Sequence, residues 1–219
     1  MTATTSAAVV VPVKAFGAAK VRLAPALDPD ERARLARRMA GIVVAAAAPL
    51  PAVVVCDDDD VRDWAEGAGA RVVWCPGRGL NGAVADGVAA LAADGVRTAV
   101  VAHADLPLAT RLAWVAEFPG VTLVPDRRLD GTNVVAVPTG AGFTFSYGAG
   151  SFGRHRAEAA RLGMAARLVR DPHLAWDVDL PVDLAWPGSE GPAGADDGTP
   201  TAEARSLLAS LATGSPRPA

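Results

Sequence analysis

Cysteine is scarce in this chain: Cys56 and Cys75 are the only two among 219 residues. They show no CxxC spacing and have no histidine beside them. A disulfide framework, a zinc ribbon or a dithiol redox centre therefore has nothing to build on, and both read as structural thiols near strand ends. Histidine is nearly as rare. His103, His155 and His173 are scattered and no GxSxG is present, so neither a zinc centre nor a nucleophilic triad is indicated. Long apolar runs are missing too. Ile42 to Leu50 is too short and too rich in alanine and proline to span a bilayer, and no membrane association is expected. Nor is there a basic excess: 21 Lys and Arg stand against 24 Asp and Glu, a net charge of −3. That excludes a general nucleic-acid binder but leaves room for a small anionic substrate in a locally cationic pocket. Met1 to Ala8 carries no cationic start of the signal-peptide kind, so a cytoplasmic location is expected.

What is present is a regular alternation. Val9–Val13 is a continuous β-branched run, as in a strand buried on both faces. Asp28-Pro29-Asp30-Glu31 supplies an N-cap, a proline at the first helical position and first-turn acids for a helix to about Ala48. Strands are expected at Ala52–Cys56, Arg71–Trp74, Thr98–Ala102, Val121–Val124 and Val134–Val137, with a short terminal strand at Ala175–Asp179. Helices are expected near Ala83–Ala93, Ala109–Glu117 and Arg154–Leu162. The acidic run Asp57–Asp60 could be a metal cluster; its simpler reading is a helix start, where acids face the positive dipole end. The pattern implies an α/β fold, a mainly parallel central sheet with helices on both faces. Residues 1–8 read as a flexible N-terminus, 9–186 as one domain, and 187–219 as a Gly/Pro/Ala-rich tail with a short helix at Thr201–Leu211.

In such sheets ligands sit at the carboxyl ends of the strands, and three features converge there. Lys14 to Leu23 is a small-residue loop carrying Lys14, Lys20 and Arg22, suited either to a nucleotide phosphate or to an ordinary connection. Gly79-Leu80-Asn81-Gly82 precedes a helix. Asp105 leaves a buried strand, either as a turn acid or as a carboxylate that needs a cation. Asp177 and Asp179, two apart on an extended segment, would share a face and repel each other unless a cation lay between them. With Asp105 they form an oxygen set suited to magnesium; Asp183 reads as a helix-start acid. Asp130-Gly131-Thr132-Asn133 is either a plain turn or a place where the Thr132 hydroxyl and nearby amides hold an anion. Tyr147-Gly148-Ala149-Gly150-Ser151 is either a capped helix start with Ser151 as N-cap or a second anion cradle.

In order along the chain stand Val11-Pro12-Val13-Lys14, Ala19-Lys20-x-Arg22-Leu23, Gly79-Leu80-Asn81 and Ala104-Asp105-Leu106-Pro107. Asp126 with Asp130-Gly131-Thr132-Asn133 follows, then Gly148-x-x-Ser151-Phe152 with His155, and Asp177-x-Asp179-x-Pro181-x-Asp183-Leu184. Over residues 9–186 the chain resembles the 2-phospho-L-lactate guanylyltransferases, including the phosphoenolpyruvate guanylyltransferases of coenzyme F420 biosynthesis. The resemblance implies a glycosyltransferase A-type, nucleotide-diphospho-sugar transferase-like fold and transfer of GMP from GTP to a phosphorylated three-carbon acid, releasing pyrophosphate. It implies magnesium on Asp105, Asp177 and Asp179, acceptor contacts at Thr132, Gly148 and Ser151, and GTP contacts at Lys14, Lys20, Arg22 and Asn81. Asp105, Lys20 and Arg22 become the catalytic group. The chain departs from the family at Val21, where Ser or Thr is common, and at Tyr147, where Phe is common. The acceptor is phosphoenolpyruvate or 2-phospho-L-lactate, and the Ala, Arg, Gly and Pro bias leans to the former. A homodimer is left open. The rival readings are another nucleotidyltransferase of this fold, acting on a molybdopterin or a sugar phosphate, and a nucleotide-binding module without catalysis.

Overall fold

A computed structural model describes residues 7–185; the tail expected at 187–219, its helix at Thr201–Leu211 and the first six residues of the flexible N-terminus lie outside the described residues. Strands run at Ala7–Pro12 (β1), Ala52–Cys56 (β2), Arg71–Trp74 (β3), Thr98–Ala102 (β4), Val121–Pro125 (β5), Thr132–Pro138 (β6) and Ala166–Leu168 (β7). Helices run at Pro29–Ala46 (α1), Asp59–Gly67 (α2), Gly79–Ala93 (α3) and Ser151–Arg161 (α4). The strands form one sheet in the order β3-β2-β1-β4-β6-β5-β7. All neighbours are parallel except β6, which runs against both β4 and β5. Among the described residues no helix is long and apolar enough to cross a membrane.

Why β1 reads as an unbroken apolar run is visible in its packing. Val9 and Val11 face one core beneath α1 and α2, while Ala8 and Val10 face a second core beneath α3 and α4. Covered on both sides, the strand has no polar face to alternate with. At Gly87 of α3 an added Cβ would lie 2.6 Å from Val55 Cγ1 and 3.0 Å from Val10 Cγ1, so only glycine lets this helix settle against the sheet. Helix starts follow the sequence signals. Asp28 accepts the Glu31 amide and Glu31 reaches back to the Asp28 amide, both at 2.8 Å, a reciprocal cap of the kind that stabilises a helix by about 1 kcal/mol. Asp58 caps α2 by accepting from Val61 N, with Asp59 and Asp60 in its first turn. The acidic run is a helix start.

Several expectations change. Ala109–Glu117 yields only a short 3-10 turn at Ala113–Glu117. Helix α3 begins four residues early, which puts Asn81 inside its first turn. Ala175–Asp179 is not a strand: it has no sheet neighbour, and Val178 N donates to Asp105 O, three residues past the end of β4. The seventh strand is instead Ala166–Leu168, beside β5.

Candidate active site

The crevice opens where the sheet changes direction of connection. From β1 the chain passes to β2 on one side, while β4 lies on the other, and the carboxyl ends of β1 and β4 are left facing a common gap. A cleft of about 380 Å³ lies there, with Lys14, Lys20 and Arg22 on one wall and His103 and Asp105 on the other. Because β6 is antiparallel, its first residues return to the same edge, and His103 N donates to Asn133 O at 3.0 Å. Three stretches far apart in sequence thus meet at the end of β4.

Lys20 is the centre of the first half. Its backbone is left-handed (φ 54°, ψ 37°), a conformation that costs energy for a residue with a Cβ and concentrates at functional positions. That turn drives the side chain inward to 10% exposure, where Nζ lies 2.6 Å from Asp105 Oδ2 and 3.0 Å from Asp179 Oδ1. Arg22 stays mostly exposed, 3.8 Å from Asp179 Oδ2, and Val21 is exposed at the mouth. Burial by itself pushes Lys20 down, but the two carboxylates outweigh it and hold its pKa above the usual lysine value. Burial likewise pushes Asp105 up, yet Lys20 and His103 leave it below the ordinary carboxylate range.

Asp177 behaves oppositely. Burial first, then the charges of Asp105 and Asp179, raise its pKa above the ordinary value, and its Oδ1 lies 3.4 Å from Asn133 Nδ2. Asp105 and Asp179 thus share one buried ammonium, Asp177 beside them has an amide partner and, among the described residues, no paired cation, and Asp105 Oδ1 is buried without a partner. An all-oxygen set with excess negative charge and an unused carboxylate oxygen fits a hard divalent cation. No three Asp, Glu, His or Cys side chains among the described residues stand in a ready-made ligand arrangement; the Lys20 ammonium lies between Asp105 and Asp179.

The Asp177–Asp179 segment is held from behind. Asp183, fully buried on the 3-10 turn Pro181–Leu184, accepts the amides of Asp179 and Leu180 at 2.9 and 2.7 Å on Oδ2. Its Oδ1 pairs with Arg127 and, at 3.6 Å, with Arg128. Arg127 also donates to Asp177 O and lies over the Trp176 ring. Asp183 is therefore a helix-start acid, as its position after Pro181 implies, and also the latch of the segment.

The second half is the loop Ser146–Gly150. Arg154 donates to the carbonyls of Ser146 and Ala149 at 2.8 and 2.6 Å, with longer contacts to those of Tyr147 and Gly148. The amides are taken one by one: Ser146 N donates to His155 Nε2, Tyr147 N to Asn81 Oδ1, Gly150 N to Asp130 Oδ1 and Ser151 N to Gly148 O. Gly148 N and Ala149 N alone in this loop have no acceptor among the described residues. Gly148 (φ 110°) and Gly150 (φ 72°) hold positive φ values that residues with a Cβ reach only under strain. Two adjacent free amides ahead of a helix N-terminus form a cradle for an oxyanion.

The N-cap of α4 is Gly150, with no side-chain cap; Ser151 is the first helical residue and is 1% exposed. The capping reading of Ser151 is thereby corrected. Thr132 is equally buried, and its Oγ1 lies 3.0 Å from His155 Nδ1. Both residues are closed to solvent. Tyr147 packs 4.8 Å from the His103 ring and 4.9 Å from His155, and both its hydroxyl and His103 Nε2 are buried without partners. The Asn81 and Asp130 contacts carry no local sequence signal, since each joins residues far apart in the chain, whereas Arg154 reaches carbonyls only five and eight residues before it.

Because His155 Nε2 accepts a backbone N–H, its proton sits on Nδ1 and points to Thr132. Burial above all, with the Arg154 and His103 charges, lowers its pKa from 6.5 to about 4. The unfolded chain takes up this proton near the higher value and the folded chain only near the lower. Stability therefore falls as pH drops through that window, by up to ~1.4 kcal/mol per pH unit. Melting temperatures between pH 7 and pH 4.5 should decline more steeply in the native protein than in His155→Asn, whose side chain does not titrate; superimposable profiles would contradict this.

A family model described as "Guanylyl transferase CofC like" matches residues 7–186. The chain is 38% identical over 195 residues to a phosphoenolpyruvate guanylyltransferase of Sphaerobacter thermophilus, covering 85% of this chain and 94% of that one. It is 41% identical over 187 residues to a protein of the same name from Streptomyces coelicolor, covering 80% and 86%. Among solved structures, a protein described as a nucleotide-diphospho-sugar transferase from Desulfovibrio desulfuricans superposes with a TM-score of 0.64 at 16% identity, over 82% of this chain and 85% of that one. A nucleotidyl transferase from Methanothermobacter thermautotroptrophicus superposes with a TM-score of 0.55 at 16% identity, over 81% and 94%. At these identities the two structures speak for the fold, which is that of nucleotidyltransferases.

Proposed function

This chain belongs to the CofC-like guanylyl transferase family, and we propose that it transfers GMP from GTP to phosphoenolpyruvate with release of pyrophosphate. The observation that carries the reading is two features set together at the end of β4, a carboxylate-rich cluster suited to a metal ion that carries phosphates and an amide cradle suited to an oxyanion. One is built on Lys20, Asp105 and Asp179; the other is the free amide pair Gly148 and Ala149. A one-anion site would need only one of them. The names borne by the relatives select the guanylyl donor and the enolpyruvate acceptor.

In this reading the GTP phosphates lie along the Lys14–Arg22 loop, with Lys20 and Arg22 on the α-phosphate side and Lys14 nearer the mouth. The acceptor's carboxylate sits in the Gly148–Ala149 cradle, braced by Thr132 and Ser151, which directs its phosphate toward Asp105. An oxygen of that phosphate attacks the α-phosphorus. The new P–O bond forms as the bond to the β-phosphate oxygen breaks, and pyrophosphate leaves. A phosphate monoester has its second pKa near ~6, so the nucleophile is already ionised and no general base is needed. This accounts for a site whose one fully buried histidine is committed to the loop. Catalysis is then alignment of two anions with neutralisation of their charge. Asp105, Asp177 and Asp179 would hold a magnesium ion, which when bound offsets the charge on the phosphates.

The deciding assay is pyrophosphate release with GTP and magnesium, comparing phosphoenolpyruvate with 2-phospho-L-lactate and using ATP as the donor control. Turnover with GTP and phosphoenolpyruvate, lost on chelation with EDTA, is expected. Faster turnover with 2-phospho-L-lactate would reassign the acceptor, and equal use of ATP would remove the guanylyl assignment.

A further inference from the structure

We propose that Asn81 is a positioning residue of the acceptor subsite and does not contact the nucleotide. Its carboxamide oxygen holds the Tyr147 amide and thereby turns the Gly148 and Ala149 amides toward the acceptor. The inference rests on the acceptor assignment above.

Asn81 stands in the first turn of α3, next to Leu80, which lines the nucleotide cleft. Its position suggests a nucleotide contact, but its bonding points elsewhere. Oδ1 accepts from Tyr147 N at 2.7 Å, across 66 residues of sequence. Among the described residues this is the one hydrogen bond by which α3 grips the Ser146–Gly150 loop; the other holds come from His155 and Arg154 on α4 and from Asp130 before β6. Tyr147 N is the amide directly before the free pair. Were it released, three successive amides would compete for one oxyanion, and the Ser146–Tyr147 peptide that carries this N–H would be held only through its carbonyl, on Arg154, so that a turn there passes through Tyr147 to Gly148. Gly148, at φ 110°, has no Cβ to resist that rotation. The Tyr147 ring is held by packing against His103 and His155, but its hydroxyl has no partner, so no hydrogen bond of its own side chain fixes the backbone at this residue. Arg154 holds the loop by its carbonyls and Asn81 holds the amide that leads into the free pair, so the orientation of the cradle depends on both.

The test is Asn81→Ala, at an exposed first-turn position where alanine is a good helix former. Steady-state kinetics should show the KM for phosphoenolpyruvate rising about ten-fold, the change expected for one hydrogen bond of roughly 1.4 kcal/mol. The KM for GTP should stay within about two-fold. In the ligand-free protein, amide exchange at Tyr147 should accelerate without a change in melting temperature. A rise in the GTP KM with the acceptor KM unmoved would overturn the proposal, as would unchanged kinetics and exchange. If the native protein itself makes no pyrophosphate from phosphoenolpyruvate, the functional reading fails first; the exchange measurement still decides whether Asn81 holds the loop.

Discussion

Asp105→Asn should lower kcat for pyrophosphate release by about a thousand-fold or more, the scale seen when a preorganised electrostatic group is removed from a reacting centre, while the protein still folds. The substitution keeps shape and removes one charge at the inner end of the cleft. Lys20 would lose its 2.6 Å partner and keep only Asp179 at 3.0 Å, so its ammonium would be drawn toward the mouth. The unpartnered Oδ1, the oxygen best placed to ligate a cation, would become part of a neutral amide. The strand should survive, because Val100 and Val101 are wholly buried and paired to both neighbours, and Ala102 is wholly buried and paired to β6. Circular dichroism and melting should therefore stay close to native while turnover disappears. Near-normal turnover at saturating magnesium would remove Asp105 from the reaction.

Asp183→Ala should have the largest effect on stability. It deletes a fully buried carboxylate that satisfies two amides and pairs with Arg127. Breaking such a pair from one side leaves a desolvated cation and two unmet donors, at a cost of about 3–5 kcal/mol. In a domain of this size that corresponds to a fall in melting temperature on the order of 10 °C. Asp179 should lose its position as well, so kcat at a permissive temperature should drop even where the protein is folded. Asp183→Asn, which keeps one acceptor oxygen, should recover part of the stability. A melting temperature within a degree or two of native for the alanine variant would show that the latch does not hold.

The comparison between sequence and structure turns on the reach of each interaction. Helix starts were legible because capping is local: Asp28 and Asp58 each bond three residues ahead. The β-branched runs were legible because double-sided burial leaves no polar positions. Asp105 and the Lys20 loop were legible because strand ends in parallel sheets have a known chemistry. What stayed hidden depends on register. The antiparallel turn of β6 brings Asn133 beside His103, and nothing local in Thr132–Pro138 states its direction. Asp177 and Asp179 were read as two residues on one strand face, whereas the segment is irregular and sends one to Asn133 and the other to Lys20. The resemblance places Asn81 on the nucleotide, and its contact to Tyr147, across 66 residues, carries no local signal in the sequence.

Val178 also bears on the order in which the polypeptide is made. It packs with Leu23, Leu35 and Met39, and Trp176 and Leu184 close around them, so the segment that carries Asp177 and Asp179 roofs the stretch that follows Lys20. The Lys14–Leu23 loop leaves a ribosome before the segment that roofs it, and that roof with its Asp179 carboxylate is synthesised roughly 150 residues later. Until then Lys20 has no carboxylate but Asp105 to face and Leu23 has no cover. Nascent chains arrested before Asp183 should accordingly show a protease-sensitive Lys14–Leu27 stretch on an otherwise assembled sheet. Closure of the donor half of the site is in this sense a late event of biosynthesis.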